Sequence, residues 1–134
     1  MVRLFCVIAA GLPALCFAQS SALSNAAKLR EIAVVTDPGY AGGAKCDGAT
    51  DDTKAMQAAL NSGANTVLLP SGTCLTSALT MPSNIELVGH GPNSSILKAK
   101  NSTNTDLISV SSKSFVAFKN FRIEGNSVSQ TQAA

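Results

Sequence analysis

Apolar and polar residues alternate with a period of about two along most of the chain, in short runs separated by turn residues. These runs predict strands at residues 32–36, 66–69, 74–76, 85–88, 95–98, 107–110, 115–118 and 121–124. Gly, Pro, Asn and Ser fill the intervening segments, as expected where tight turns connect strands. The sequence therefore predicts a mostly β protein.

One segment has helical periodicity instead. Apolar positions recur at 53, 56, 59 and 60, which is the spacing of a single helix face. Thr50, Asp51 and Asp52 precede this face, and their side-chain oxygens can accept hydrogen bonds from the free N–H groups of a first turn. A Ser-Gly pair at 62–63 provides a stop signal. We predict a helix at 51–61 with Thr50, Asp51 and Asp52 as its structural cap.

The first residues have the pattern of a secretory signal peptide. Arg3 supplies a positive start, residues 4–17 are mostly apolar, and the small residues Cys16 and Ala18 occupy the positions that a signal peptidase reads. We expect cleavage after Ala18 and a secreted or periplasmic location. Residues 19–31 are then a linker, 32–126 the folded region, and 127–134 a polar tail.

Composition and charge exclude two classes of partner. The formal net charge is only +2 and no run of Lys or Arg occurs, so a nucleic-acid-binding surface is not predicted. After signal cleavage no apolar run is long enough to span a membrane. Charged residues make up 13% of the chain, so Ser, Thr, Asn and Gly must supply most of the polar surface.

Cleavage changes the number of cysteines. The chain has four, and only Cys46 and Cys74 would remain in the mature protein. Two cysteines in an exported chain permit one disulfide, with two free thiols as the alternative.

The order of the predicted elements limits the architecture. A single helix cannot connect all the later strands as alternating β-α-β units, and no Asn-Gly or Asp-Gly hairpin turn joins them. Apolar pairs at 85 and 87 and at 108 and 110 recur at about the length of one solenoid coil. This spacing is compatible with a β-helix but does not by itself exclude a β-sandwich.

Several segments, in order along the chain, resemble the N-terminal part of the pectate-lyase superfamily domain. The opening segment GAKCDGATDDT at 43–53 is followed by AMQAAL at 55–60. The later segments are VLLPSGT at 67–73, NIELVGHG at 84–91 and FRIEGN at 121–126. The resemblance covers about residues 33–126, and its order makes it more specific than any single segment.

This resemblance implies an all-β fold: a right-handed, single-stranded parallel β-helix whose N-terminal end is covered by the short helix, C-terminally incomplete in this chain. Cys46 and Cys74 depart from the family pattern, and the resemblance places both near the covered end, which favours their pairing. It also implies a polysaccharide partner. Ca²⁺ occurs in the family, but we nominate no ligand for it here.

No residue is nominated as catalytic or as a metal ligand. Asp47, Asp51 and Asp52 form the one carboxylate cluster of the chain, which helix capping and an Asx turn at Asp47 explain better than a Ca²⁺ site or an acid–base pair. His90 lies between two glycines and is interpreted as a turn residue. In this family catalytic residues lie on middle coils, which would follow residue 126.

Three hypotheses on function follow from the resemblance. The chain is the N-terminal region of a secreted polysaccharide-active protein, pectate lyase-like or glycoside hydrolase-like, without catalysis on its own. Alternatively it is a non-enzymatic adhesin or tailspike-like carbohydrate-binding scaffold, or an inactive truncated product. Asn93-Ser94-Ser95 and Asn101-Ser102-Thr103 are also glycosylation sequons, meaningful in a eukaryotic secretory pathway.

Overall fold

The computed structural model of the protein describes residues 32–126. The expected signal peptide at 1–18, the linker at 19–31 and the polar tail at 127–134 lie outside the described residues. Within the described range, no helix has the length and apolar character needed to cross a bilayer.

Residues 32–126 contain one helix, α1 (Thr53–Leu60), and ten short strands. The strands are β1 (Ile32–Val34), β2 (Asp47–Asp51), β3 (Thr66–Leu68), β4 (Gly72–Thr76), β5 (Leu79–Thr80), β6 (Ile85–Val88), β7 (Ser95–Ala99), β8 (Ile108–Ser109), β9 (Val116–Lys119) and β10 (Arg122–Glu124).

The strands form three sheets in which every pair is parallel. Sheet A has the order β1-β3-β6-β9, sheet B the order β2-β4-β7-β10, and sheet C contains β5 and β8. Along the chain, each strand of sheet A is followed by one of sheet B, and each strand of sheet C follows one of sheet B. The predicted all-β class, with parallel strands and one short helix, is confirmed.

Inward-facing side chains stack in register from strand to strand. In sheet A, Val67 lies beside Leu87, and Leu87 lies beside Phe118. In sheet B, Cys74 lies beside Leu97, and Leu97 lies beside Ile123. The earlier members of both stacks are buried, so burial of apolar surface holds successive strands together.

The stacks are open at their last described members. Phe118 and Ile123 hold inward positions but remain 42% and 51% exposed, because no described strand lies beyond them. The rings of Phe118 and Phe121 make an edge-to-face contact with centroids 6.2 Å apart. Phe121 is partly buried against the core, whereas Phe118 stays largely exposed.

Helix α1 is shorter than the predicted 51–61. Asp51 belongs to β2, Asp52 is the N-cap residue and Asn61 is the C-cap residue. The β conformation of residues 47–51 was missed because the Asp-Gly pair at 47–48 and the capping residues at 50–52 resemble a loop before a helix. The apolar face of the helix, formed by Ala55, Met56, Ala59 and Leu60, is buried.

Helix α1 covers the start of sheet C. It contacts β5, β1 and β4. It lies in the chain between β2 and β3, and the two later connections from sheet B to sheet A contain the sheet C strands β5 and β8 at the corresponding place. The Gln57 side-chain amide pairs with the backbone of Thr80 in β5: Nε2 donates to the carbonyl oxygen and Oε1 accepts from the N–H, both at 2.9 Å. Gln57 thus occupies part of the open edge of β5.

Candidate functional site

Asp47 organises the turn that opens β2. Its Oδ1 accepts hydrogen bonds from the backbone N–H groups of Ala49 at 2.9 Å and Thr50 at 2.7 Å, and its Oδ2 accepts one from the Thr50 hydroxyl at 2.8 Å. The bonds from Thr50 and Ala49 stabilise the charged form and lower the pKa of Asp47 to about 2. The Asx turn predicted at this residue is confirmed, and Thr50 belongs to this turn rather than to the helix cap.

Asp51 joins the start of the helix to the residue that follows β7, Lys100. Its Oδ1 accepts from the N–H of Thr53 at 3.0 Å, which is a capping interaction, and also from the Thr53 hydroxyl. Its Oδ2 forms an ion pair with Lys100 Nζ at 2.6 Å. The hydrogen bond from Lys100, followed by that from the Thr53 hydroxyl, lowers the pKa of Asp51 to about 2.

Asp52 does not cap the helix with its side chain, contrary to the sequence-based prediction. It occupies the N-cap position, but its carboxylate makes no hydrogen bond with the first helical turn. Instead Oδ1 accepts from Lys45 N–H at 2.7 Å and Oδ2 from Cys46 N–H at 3.0 Å. The side chain is 2% exposed, so its charge is compensated by donors of the preceding loop.

Cys46 and Cys74 form the disulfide that the sequence suggested. The bond joins the residue before β2 to the middle of β4, and both side chains are buried. The two sulfurs and the Asp52 carboxylate lie within 4.8 Å of one another. Because the sulfurs are bonded to each other, neither offers a thiolate to a metal ion, and this cluster is best explained as structural.

The outward face of sheet B presents two rows of side chains in register. The first row is Asp47, Thr73, Ile96 and Arg122, and the second is Asp51, Leu75, Lys98 and Glu124. Arg122 and Glu124 form an ion pair at 2.9 Å. This face therefore carries charges of both signs beside half-buried apolar side chains.

A shallow groove of about 330 Å³ lies at one end of this face. It is lined by Gly48, Ala49, Leu75, Lys98, Lys100, Asn101 and Asn126. The Asn126 amide is fixed by donating to the carbonyl of Ala99 at 3.1 Å and to Asn101 Oδ1 at 2.7 Å. Ammonium and amide groups around an apolar floor can bind a hydroxylated ligand such as a sugar chain.

A second depression, of about 450 Å³, lies among Ala99, residues 103–107 and Gly125. It is formed largely by the loop that connects β7 to β8. Lys98, Lys100, Asn101 and Asn126 were not predicted from the sequence as binding residues. The alternation of Lys98 and Lys100 about Ala99 was the available signal for the two lysines, and no comparable signal exists for Asn126.

His90 has a structural environment. Its Nδ1 lies 2.8 Å from the carbonyl oxygen of Leu69, and its backbone N–H donates to Ser95 Oγ at 2.9 Å. Ser95 is buried and its hydroxyl donates to the carbonyl of Pro70 at 2.8 Å. These bonds join the turn after β6 to residues 69 and 70, which follow β3, in agreement with the interpretation of His90 as a turn residue.

The sequence matches the model of a known family over most of its length. The model of the family described as rhamnogalacturonase A/epimerase, pectate lyase-like, matches residues 41–132, which is more than half of the chain. No curated protein and no solved structure matches significantly. The match spans both the carboxylate cluster and the groove on sheet B. The chain belongs to the rhamnogalacturonase A/epimerase, pectate lyase-like family.

Proposed function

We propose that this chain is the N-terminal region of a secreted polysaccharide-active β-helix protein, and that it binds its polysaccharide without cleaving it on its own. The observation that carries the proposal is the family match over residues 41–132. The groove with Lys98 and the Asn101–Asn126 amide pair supplies a surface of suitable chemistry.

The proposed architecture is a right-handed parallel β-helix. Its support is the repeated order of sheets along the chain, together with all-parallel pairing in each sheet. The connection that crosses from one parallel strand to the next in the same sheet is right-handed in nearly all proteins. In such a solenoid each coil contacts only its neighbours, so helix α1 acts as the terminal cap.

Secretion is supported by two independent features. Residues 1–18 have the composition of a signal peptide. The buried Cys46–Cys74 disulfide is typical of proteins that fold in an oxidising compartment. Expression with the native N-terminus should release a protein beginning at Gln19, and a retained N-terminus in the secreted product would contradict this proposal.

The hydrogen bonds made by the carboxylates of Asp47, Asp51 and Asp52 support the proposed absence of catalysis. Cleavage of a glycosidic bond by a carboxyl pair needs one member with a raised pKa to donate a proton. The pKa values of Asp47 and Asp51 are instead lowered to about 2 by their hydrogen bonds. Asp52 is buried and engaged with the backbone of residues 45 and 46.

The test is binding and product formation with the same sample. The secreted chain is titrated against acidic and neutral plant polysaccharides in affinity electrophoresis, and the reactions are assayed for new reducing ends and unsaturated uronates. We expect retardation without product. Lys98→Ala should weaken the retardation, whereas Lys119→Ala, on sheet A, should not. Retardation equal in both variants would place binding elsewhere.

A non-enzymatic adhesin or tailspike-like scaffold remains the second candidate. The described lining of the groove contains no carboxyl group. This favours the scaffold among the alternatives, because such a scaffold needs binding alone. Extending the chain by any downstream coils that its gene encodes separates the two functions. Product formation in the longer protein supports the enzyme, and binding alone supports the scaffold. No binding by either form would support an inactive product.

A further inference from the structure

The two sequons flank one strand of sheet B. Asn93-Ser94-Ser95 ends inside β7, and Asn101-Ser102-Thr103 begins just after it. The acceptor in either sequon is the side-chain amide of the asparagine, and the hydroxyl residue two positions later is required for transfer. The structure gives the two asparagines different surroundings.

Asn93 projects from an exposed turn between β6 and β7. The turn is closed by the carbonyl of Gly91, which accepts from the N–H groups of Ser94 at 3.0 Å and Ser95 at 2.8 Å. Among residues 32–126, none forms a hydrogen bond with the Asn93 side chain, and Pro92 and Ser94 on either side are also exposed. A large substituent on Asn93 therefore costs no contact of the folded chain.

Ser95 determines when such a substituent could be added. In the folded protein its side chain is buried, and its hydroxyl is engaged by His90 N–H and by the carbonyl of Pro70. A transferase that must recognise this hydroxyl can reach it only before β7 joins β4. The sequon is thus accessible in the nascent chain and is closed by folding.

Asn101 lies in a different place. It forms part of the groove on sheet B, and its Oδ1 accepts from Asn126 Nδ2. An oligosaccharide on Asn101 would extend from the rim that also carries Lys98 and Lys100 and would compete with a ligand there. A substituent on Asn93, before β7, does not begin at this groove.

We propose that Asn93 is an N-glycan acceptor, an inference that rests on the proposed secretion. The Asn93 Nδ2 forms a bond to the anomeric carbon of an oligosaccharide carried on a lipid diphosphate. The bond from that carbon to the diphosphate oxygen breaks, the lipid diphosphate leaves, and one amide proton is lost to a base of the transferase. No oxidant or reductant takes part.

The test is expression of the full chain with its native N-terminus in a eukaryotic secretory host. Medium and cell extract are both collected, and the peptide containing Asn93 is analysed by mass spectrometry before and after peptide N-glycosidase. We expect wild type and Asn101→Gln to carry a glycan on Asn93. Asn93→Gln should lose the mass of one glycan and remain secreted, because the side chain is exposed.

The outcomes separate this proposal from the proposed secretion. Secreted protein with unmodified Asn93 overturns glycosylation and leaves secretion standing. Retained protein with a glycan on Asn93 supports glycosylation while contradicting release into the medium. Cytosolic, unmodified protein overturns both.

Discussion

The side-chain amide of Gln57 pairs with the backbone of Thr80 as a neighbouring strand would, with both hydrogen bonds at 2.9 Å. Helix α1 thereby closes part of an edge that a parallel sheet otherwise leaves open. The interaction links residues 23 positions apart along the chain, so it contributes to tertiary structure rather than to the helix itself.

Replacing Gln57 tests this closure. Gln57→Ala removes both hydrogen bonds to Thr80, and also a longer one of 3.2 Å from Nε2 to Asn61 Oδ1. It should lower the free energy of unfolding by about 1–2 kcal/mol, since a hydrogen bond contributes on the order of 1 kcal/mol. Gln57→Glu keeps the acceptor for Thr80 N–H but sets a carboxylate against the carbonyl. It should therefore destabilise at neutral pH and recover as the carboxylate is protonated. Urea unfolding measures both, and equal stability of all three proteins would contradict the role.

Asp51 and Asp52 are adjacent but should respond differently to substitution. Asp52→Ala leaves the buried N–H of Cys46 and the part-buried N–H of Lys45 without an acceptor, which should cost about 2–4 kcal/mol. Asp51→Ala removes an exposed cap and a solvent-exposed ion pair and should cost only about 1 kcal/mol. Chemical denaturation of the two variants gives the comparison. A larger loss for Asp51→Ala would reverse the assignment of roles.

The disulfide should be a major source of stability. Cys46 and Cys74 are separated by 28 positions, and closing a loop of this size contributes about 3–4 kcal/mol in the chain-entropy description. The Cys46→Ser/Cys74→Ser double variant should lose about that much in urea unfolding. Thiol titration of the unfolded, unreduced secreted protein should find no free thiol, and two free thiols per chain would rule out the bond.

Acid should weaken the region around β2. The pKa of Asp47 and that of Asp51 are both lowered from 3.8 to about 2 on folding. A lowered pKa in the folded state means that the stabilisation is complete above the unfolded value and is lost as pH falls from about 4 towards 2. Asp47→Asn and Asp51→Asn should each flatten this decline. Urea midpoints at about pH 5 and about pH 2.5 measure it, and an unchanged slope in both variants would contradict the assignment.

Gly89 lies where the turn after β6 and the turn after β9 approach each other closely. A Cβ on this residue would be 2.5 Å from the carbonyl oxygen of Asn120 and 2.7 Å from the Cβ atoms of Phe121 and Ser95. Gly89→Ala should therefore destabilise by about 1–3 kcal/mol through overpacking. Gly125→Ala is the matched control, because its Cβ would meet no atom within 4 Å and its φ is not in the left-handed region. Equal thermal midpoints for the two variants would disprove the close approach.

The pattern of residues predicted the strands whose side chains alternate clearly. Ile85 and Leu87 are apolar beside the polar Glu86, and β6 occurs where expected. The two-residue strand β5 was missed because so short a segment has no periodicity. The observed boundaries of α1 differ from the predicted ones because an aspartate before a helix can accept hydrogen bonds either from the helix or from the preceding loop. The Asp52 carboxylate accepts hydrogen bonds from the loop residues Lys45 and Cys46, and the sequence alone does not indicate these bonds.

The sequence predicted the residues of the candidate site less well than it predicted the fold. Lys98, Asn101 and Asn126 are brought together by the register of β7 with β10 and by the turn after β7. Local patterns do not encode which strands are neighbours when the connections between them vary in length. The ordered resemblance to a known family supplied that information for the fold, but it nominated no residue for the groove.

The connections from sheet B to sheet C differ in length, although the strands of sheet C that they lead to remain paired in register. Residues 77–78 connect β4 to β5 and residues 100–107 connect β7 to β8, yet Leu79 and Ile108 still lie opposite each other. Insertions and deletions in these connections therefore change the shape of the outer surface without altering the order in which interior side chains meet. A protein built in this way can acquire new loops beside its groove while the packed interior keeps the same amino-acid requirements.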